Sequence, residues 1–171
     1  MAGRIASTVL FTIFMPGLAM VYLPAWVLSA SGGARDPGAL RYAGAIAMLA
    51  GLAALFWCFA GFIVEGQGTP APYDAPRNHV RGRLYRWVRN PMYVAVLTVV
   101  VGEAAVFGSA ALLVYAAALW LTFHLFVTVY EEPGLRARFG ASYDAYLARV
   151  PRWIPRRPST PVLAKAPPAG D

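Results

Sequence analysis

Apolar residues in this chain fall in long unbroken blocks, and polar positions gather between the blocks. A helix on a soluble core would instead show apolar residues every three or four positions along one stripe. The first block runs from about Ser7 to Leu28 and the second from about Leu40 to Val64. The third starts near Met92 and continues to Tyr130, about 39 residues. A helix rises 1.5 Å per residue and needs about 20 residues to cross ~30 Å of hydrocarbon. The first two blocks therefore predict one span each, over 7–28 and 40–64. The third predicts two, over 92–107 and 110–130, joined at Phe107–Ala110, where Gly108 and Ser109 are the turn formers. Pro16 and Pro24 are expected to kink the first span. That span exceeds the 7–15 apolar residues of a signal peptide, so it is read as part of the bundle.

Beyond Tyr130 the spacing changes. Phe139, Tyr143, Tyr146 and Val150 recur at intervals of four, three and four, with Asp144 and Arg149 on the opposite face. This predicts an amphipathic helix over about 134–150, lying at the membrane interface. The Pro-rich stretch 156–171 is expected to be disordered. The expected architecture is thus all-α: a single domain over 1–155, with four transmembrane helices, the last two a tight hairpin, plus the interfacial helix.

Composition agrees. Of 171 residues 58% are hydrophobic and 13% charged, and the mean hydropathy is +0.52; a soluble domain is roughly 45–50% apolar. The net charge of +7 comes from arginines between and after the apolar blocks, without a nucleic-acid-binding module, so no nucleic-acid partner is expected. Arg81, Arg83, Arg86 and Arg89 alternate with Tyr85 and Trp87, a composition suited to lipid head groups. This segment and the basic tail fall on one side of a four-span bundle, which places both termini in the cytoplasm. The single cysteine, Cys58, excludes a disulfide framework, and no metal site is expected.

Three places carry candidate chemistry. Glu131 and Glu132 sit where the last block ends. Membrane-exit residues on the cytoplasmic side are usually cationic, and a helix C-terminus disfavours anions, so adjacent carboxylates there suggest a cation to bind. Thr128, His124 and Trp120 step back from them along one stripe, expected to face the bundle interior. Arg89-Asn90-Pro91-Met92-Tyr93 opens the third block: Asn90 suits an N-cap, Pro91 a first helical turn, and the helix start suits a carboxylate or phosphate. Gly66-Gln67-Gly68 follows the second block, where backbone could approach a ligand or simply cap the helix. Glu103, deep in the third block, is expected to hydrogen-bond a neighbouring helix.

The ordered set "RNPMY" (89–93), "YEEP" (130–133) and "FGASYDAYLARVPRWIP" (139–155) resembles the isoprenylcysteine carboxyl methyltransferase and phospholipid methyltransferase superfamily of integral-membrane enzymes. The likeness covers roughly Glu65 to Pro155. It implies S-adenosylmethionine as cofactor, with S-adenosylhomocysteine as product, in a pocket at the cytoplasmic end. Carried over position by position, it implies cofactor contacts at Gly66, Gly68, Arg89, Asn90, Pro91, Tyr93, Glu131 and Glu132. The carboxyl methyltransferases usually have His where this chain has Asn90, and phospholipid enzymes can read "NPMY". The expected reaction is methyl transfer to a lipophilic acceptor reached from the bilayer: a prenylcysteine carboxylate, a phospholipid amine or another small lipophile. Glu131 or His124 would accept a proton from an amine, and Arg152 would position a carboxylate. The expected location is a bacterial inner membrane, in contact with its lipids. The competing readings are a non-catalytic scaffold or small-permeant carrier, and a sterol-reductase-like enzyme, against which four spans argue.

Overall fold

The computed structural model describes residues 14–65 and 83–157. Among the described residues there are helices and no strands.

Helix α1, Phe14–Ala30, contains a π-helical turn at Leu18–Tyr22. The turn lies directly before Pro24, which has no N–H and whose ring crowds the carbonyl four residues back. The wider turn, closed by Leu23 N–H on Leu18 O, absorbs that misfit. Helix α2 is Leu40–Glu65 and helix α3 is Pro91–Phe107. The predicted turn is present: Gly108 is left-handed at φ 59°, and the Ser109 side chain accepts from Leu112 N–H. A left-handed residue suits glycine, and serine is a favoured N-cap.

Helix α4 runs without a break over Ala110–Phe139. The helix thus continues past Tyr130, where the last span is expected to end. A second π turn, Val127–Glu131, again precedes a proline, Pro133, and carries the helix past it. The predicted interfacial helix over 134–150 is likewise not one helix. It is the end of α4 and a short α5, Ala141–Leu147, separated at Gly140 with φ 52°. The predicted apolar face survives the break: Tyr143, Tyr146 and Val150 are buried against Leu135, Phe139 and Leu147.

The main core joins α1, α2, α3 and α4 through Met20, Leu55, Val96, Val99, Val100 and Ala116, with Tyr115, Leu119 and Phe123 against them. Helices α2 and α3 share the most extensive interface, and glycines make it possible. A Cβ on Gly44 would lie 2.6 Å from Gly102 O, and one on Gly102 would lie 2.7 Å from Gly44 O. Backbones approach this closely only where side chains are absent, the usual device of packed membrane helices.

Among the described residues two helices are long and apolar enough to cross a membrane, Leu40–Ala60 and Ala110–Phe139, yet only 22% and 17% of their apolar windows are covered by protein. The core helix of a soluble protein would be mostly covered, whereas these faces are suited to lipid. At one end of the bundle Arg35 N–H bonds Phe107 O at 2.8 Å, joining the 31–38 loop to the α3–α4 turn. The start of α3 and the glutamate pair lie at the other end.

Glu103 is buried on α3, and its Oε2 has no hydrogen-bond partner among the described residues. The expected interhelical bond to that oxygen is absent. Residues 7–13, the loop with Gly66, Gly68 and Arg81, and residues 158–171, for which expectations are given above, lie outside the described residues. Arg156, within the stretch expected to be disordered, is held in place: its N–H bonds Trp87 O at 2.9 Å.

Candidate cofactor and acceptor site

The end of the bundle is built by four pieces: the 83–90 segment, the π turn of α4, helix α5, and the strap that follows it. The strap and α5 are fastened by hydrogen bonds to main-chain carbonyls. Arg89 N–H donates to Pro151 O at 2.9 Å, Tyr146 Oη to Tyr85 O at 2.7 Å, and Asn90 Nδ2 to Arg152 O at 3.1 Å. Asn90 stands at the N-cap position of α3 as predicted, but its side chain does not cap the helix. It holds the strap instead.

Glu132 is the electrostatic centre. Arg152 approaches it in a fork, Nε to Oε1 at 2.8 Å and Nη2 to Oε2 at 2.9 Å. Arg89 adds Nη1 to Oε1 at 2.9 Å, and turns Nε to Val150 O at 2.6 Å and Nη2 to Leu147 O at 3.2 Å. Paired forks of this kind are among the stronger charge-assisted hydrogen bonds. They allow Glu132 to be buried, with 7% of its surface exposed, where an unpaired carboxylate would be costly. The Glu132 carboxylate in turn holds the Arg152 guanidinium above its usual range. Behind the cluster, burial together with the two carboxylates pushes the Tyr143 phenol up to about 12.

Glu131 has a different partner. Tyr93 Oη donates to its Oε2 at 3.2 Å, and the Tyr93 ring lies against Phe123 with centroids 4.6 Å apart. Glu131 closes the π turn. Consecutive residues of a helix point about 100° apart, so the two glutamates reach separate partners, and π turns of this kind recur at functional sites.

The stripe Trp120–His124–Thr128 does not face the bundle interior, which corrects that expectation. The interior face of α4 carries Leu112, Ala116 and Val127. Thr128 Oγ1 bonds its own helix at His124 O, 2.7 Å. His124 stacks on Trp120 with centroids 5.3 Å apart and accepts at Nδ1 from Trp153 Nε1, 3.1 Å. An indole N–H only donates, so a neutral His124 carries its proton on Nε2. Its free lone pair is therefore taken by the strap. Trp153 was not singled out from the sequence; the adjacent Arg152 in "VPRWIP" was the nearest signal. An apolar groove of about 320 Å³ opens beside these aromatics, lined by Ala47, Val94, Leu97, Thr98, Val101, Trp120 and Trp153.

The structure thus brings Arg89, Tyr93, Glu131, Glu132 and Arg152 together, with Asn90 and Pro91 at the adjoining helix start. His124 lies seven residues from Glu131, ~10 Å along the helix. Among the described residues no group of acidic, histidine or cysteine side chains forms a metal site.

Among the described residues, a helical bundle with lipid-suited faces and a charged cluster at one end has the architecture of a membrane protein. Its family follows from sequence: residues 40–142, more than half the chain, match the phospholipid methyltransferase family model, and the chain belongs to that family. No curated protein and no solved structure matched it.

Proposed function

We propose that the protein transfers a methyl group from S-adenosylmethionine to a lipophilic acceptor embedded in the membrane. The observation that carries this reading is the Glu131–Tyr93 pair beside the ion-paired Glu132. Glu131 engages Tyr93 and remains partly exposed, so it can accept from the ammonium or ribose hydroxyls of the cofactor. When bound, the cofactor supplies an electrophilic methyl on a sulfonium. In-line transfer of such a group depends mainly on alignment of donor and acceptor.

The residues divide the work. Glu131 and Tyr93 hold the cation side of the donor. Arg89 uses three of its donors inside the protein, which leaves two of a guanidinium's five for a carboxylate. Asn90 and Pro91 place the first turn of α3 beside it. Gly66 and Gly68 follow α2, where a backbone without Cβ atoms lets a ligand come close. Glu132 anchors Arg89 and Arg152 and thereby the wall of the pocket. For an amine acceptor, Glu131 takes the proton lost on methylation. His124 is less suited to that task, because Trp153 occupies Nδ1. For a carboxylate acceptor no base is needed, and Arg152 stands at the site to position it.

We further propose a four-span topology with both termini cytoplasmic. The loop bond between Arg35 and Phe107 and the cluster at the opposite end support it, as do the arginines gathered at that end. The test is to incubate membranes holding the protein with methyl-labelled S-adenosylmethionine and to extract the lipids. A labelled lipid in which the label resides on nitrogen marks an amine acceptor, and base-labile label marks an ester. A scaffold or carrier would transfer no label.

A further inference from the structure

The strap changes character within one peptide unit: Arg152 faces Glu132, and Trp153 faces the groove. The groove itself follows the outer side of α3 through Val94, Leu97, Thr98 and Val101, at helical intervals of three and four. Ala47 of α2 forms its far wall, and Trp120 of α4 and Trp153 its near wall. Its lining carries no charged side chain. The one aliphatic hydroxyl, Thr98 Oγ1, donates to Val94 O at 2.7 Å, and the rest of the lining is aliphatic or aromatic. From Val94 to Val101 the groove is ~10 Å long at 1.5 Å per residue. It is open on its side, and its chemistry is complementary to hydrocarbon.

We propose that this groove takes a hydrocarbon chain of the acceptor, and that Trp153, latched by His124, is the wall that determines which chains fit. The proposal rests on the methyltransferase reading, because the groove adjoins the polar cluster along the chain, at Arg152–Trp153 and at Tyr93–Val94. An amphiphile lying with its chain along Val94–Val101 has its head at the Arg152–Trp153 peptide, next to Glu132 and its arginines. The indole is fixed from two sides, by the bond to His124 Nδ1 at 3.1 Å and by the Trp120 ring, 6.3 Å between centroids. A fixed aromatic wall discriminates chain shape with little conformational cost, as two torsions suffice to place it. Ala47 and Val101 are small residues at the far end of the lining, so their size limits how deep a chain reaches.

The experiment uses the full-length protein in nanodiscs and a sixteen-carbon amine carrying a diazirine near the end of its chain. After photolysis, labelled peptides are mapped by mass spectrometry. The expected label falls on 94–101 and Trp120, and Val101→Phe lowers it at least fivefold without changing label on the exposed α2 face around Ile46 and Leu49. Trp153→Ala spreads the label, and Trp153→Phe, which keeps a ring but loses the N–H, gives an intermediate pattern. Ala47→Phe repeats the block from the opposite wall, should Val101→Phe disturb folding. Label on 94–101 no stronger than on the α2 face, or unmoved by both blocking variants, overturns the proposal. Heat stabilisation by S-adenosylhomocysteine, measured on the same samples, reports on the methyltransferase reading separately: both blocking variants retain it if that reading holds.

Discussion

Glu131 and Glu132 are neighbours in the chain yet bind different parts of the molecule: Glu131 accepts from Tyr93 at 3.2 Å, while Glu132 takes both Arg89 and Arg152. Neighbouring side chains on a helix diverge by about 100°, which permits that division. Glu132 ties the arginines together, and Glu131 stays partly exposed. The two positions therefore have different consequences when altered.

Glu132→Gln removes the charge that two buried or half-buried guanidiniums face. Breaking one partner of a buried pair costs about 3–5 kcal/mol, and here the strap is the piece set free. With the strap loosened, trypsin is expected to cut after Arg149, Arg152 and Arg156 well before it cuts the wild type. Equal cleavage rates would show that the backbone bonds alone hold the strap.

The α2–α3 contact predicts a contrast among glycines. Gly44→Ala or Gly102→Ala puts a Cβ within 2.6–2.7 Å of a backbone oxygen, and overpacking of this kind costs about 1–3 kcal/mol. Gly134→Ala, in the helical end of α4, meets nothing within 4 Å and gains up to about 1 kcal/mol of helix propensity. Thermal unfolding in detergent should move in opposite directions for the two classes.

Glu103 has a buried oxygen with no partner. An unsatisfied buried group costs about 1–3 kcal/mol, and an apolar residue of similar shape relieves it. Glu103→Met is therefore expected to raise the unfolding temperature and leave methyl transfer intact. A variant that folds but loses activity would give Glu103 a functional role.

Much of this arrangement was legible in the sequence because it rests on local patterns. Block lengths gave α2 and α3 nearly to the residue, and Gly108-Ser109 gave the turn between α3 and α4. The spacing of Phe139, Tyr143, Tyr146 and Val150 gave the apolar face, even though Gly140 divides it between two helices. The π turn was hidden because Pro133 reads as a helix end, and only the widened turn lets α4 continue beyond it. The partners of Glu132 were hidden for another reason: Arg89 and Arg152 lie 43 and 20 residues away, beyond any helical spacing. His124 and Trp153 are 29 apart, so a candidate base could not be seen to be a latch. The family resemblance pointed to Arg89, Tyr93, Glu131 and Glu132, which the fold brings together, and the ion pairs explain why two adjacent acids are tolerated there.

The most direct measurement is heat stabilisation of the purified protein by S-adenosylhomocysteine, wild type beside Glu131→Gln. A ligand at a hundred times its dissociation constant stabilises by about 2.7 kcal/mol. The wild type is expected to gain several degrees, and Glu131→Gln, with its unliganded unfolding temperature nearly unchanged, to gain none. No shift in the wild type, or an undiminished shift in Glu131→Gln, would contradict the assignment of this end of the bundle to the methyl donor.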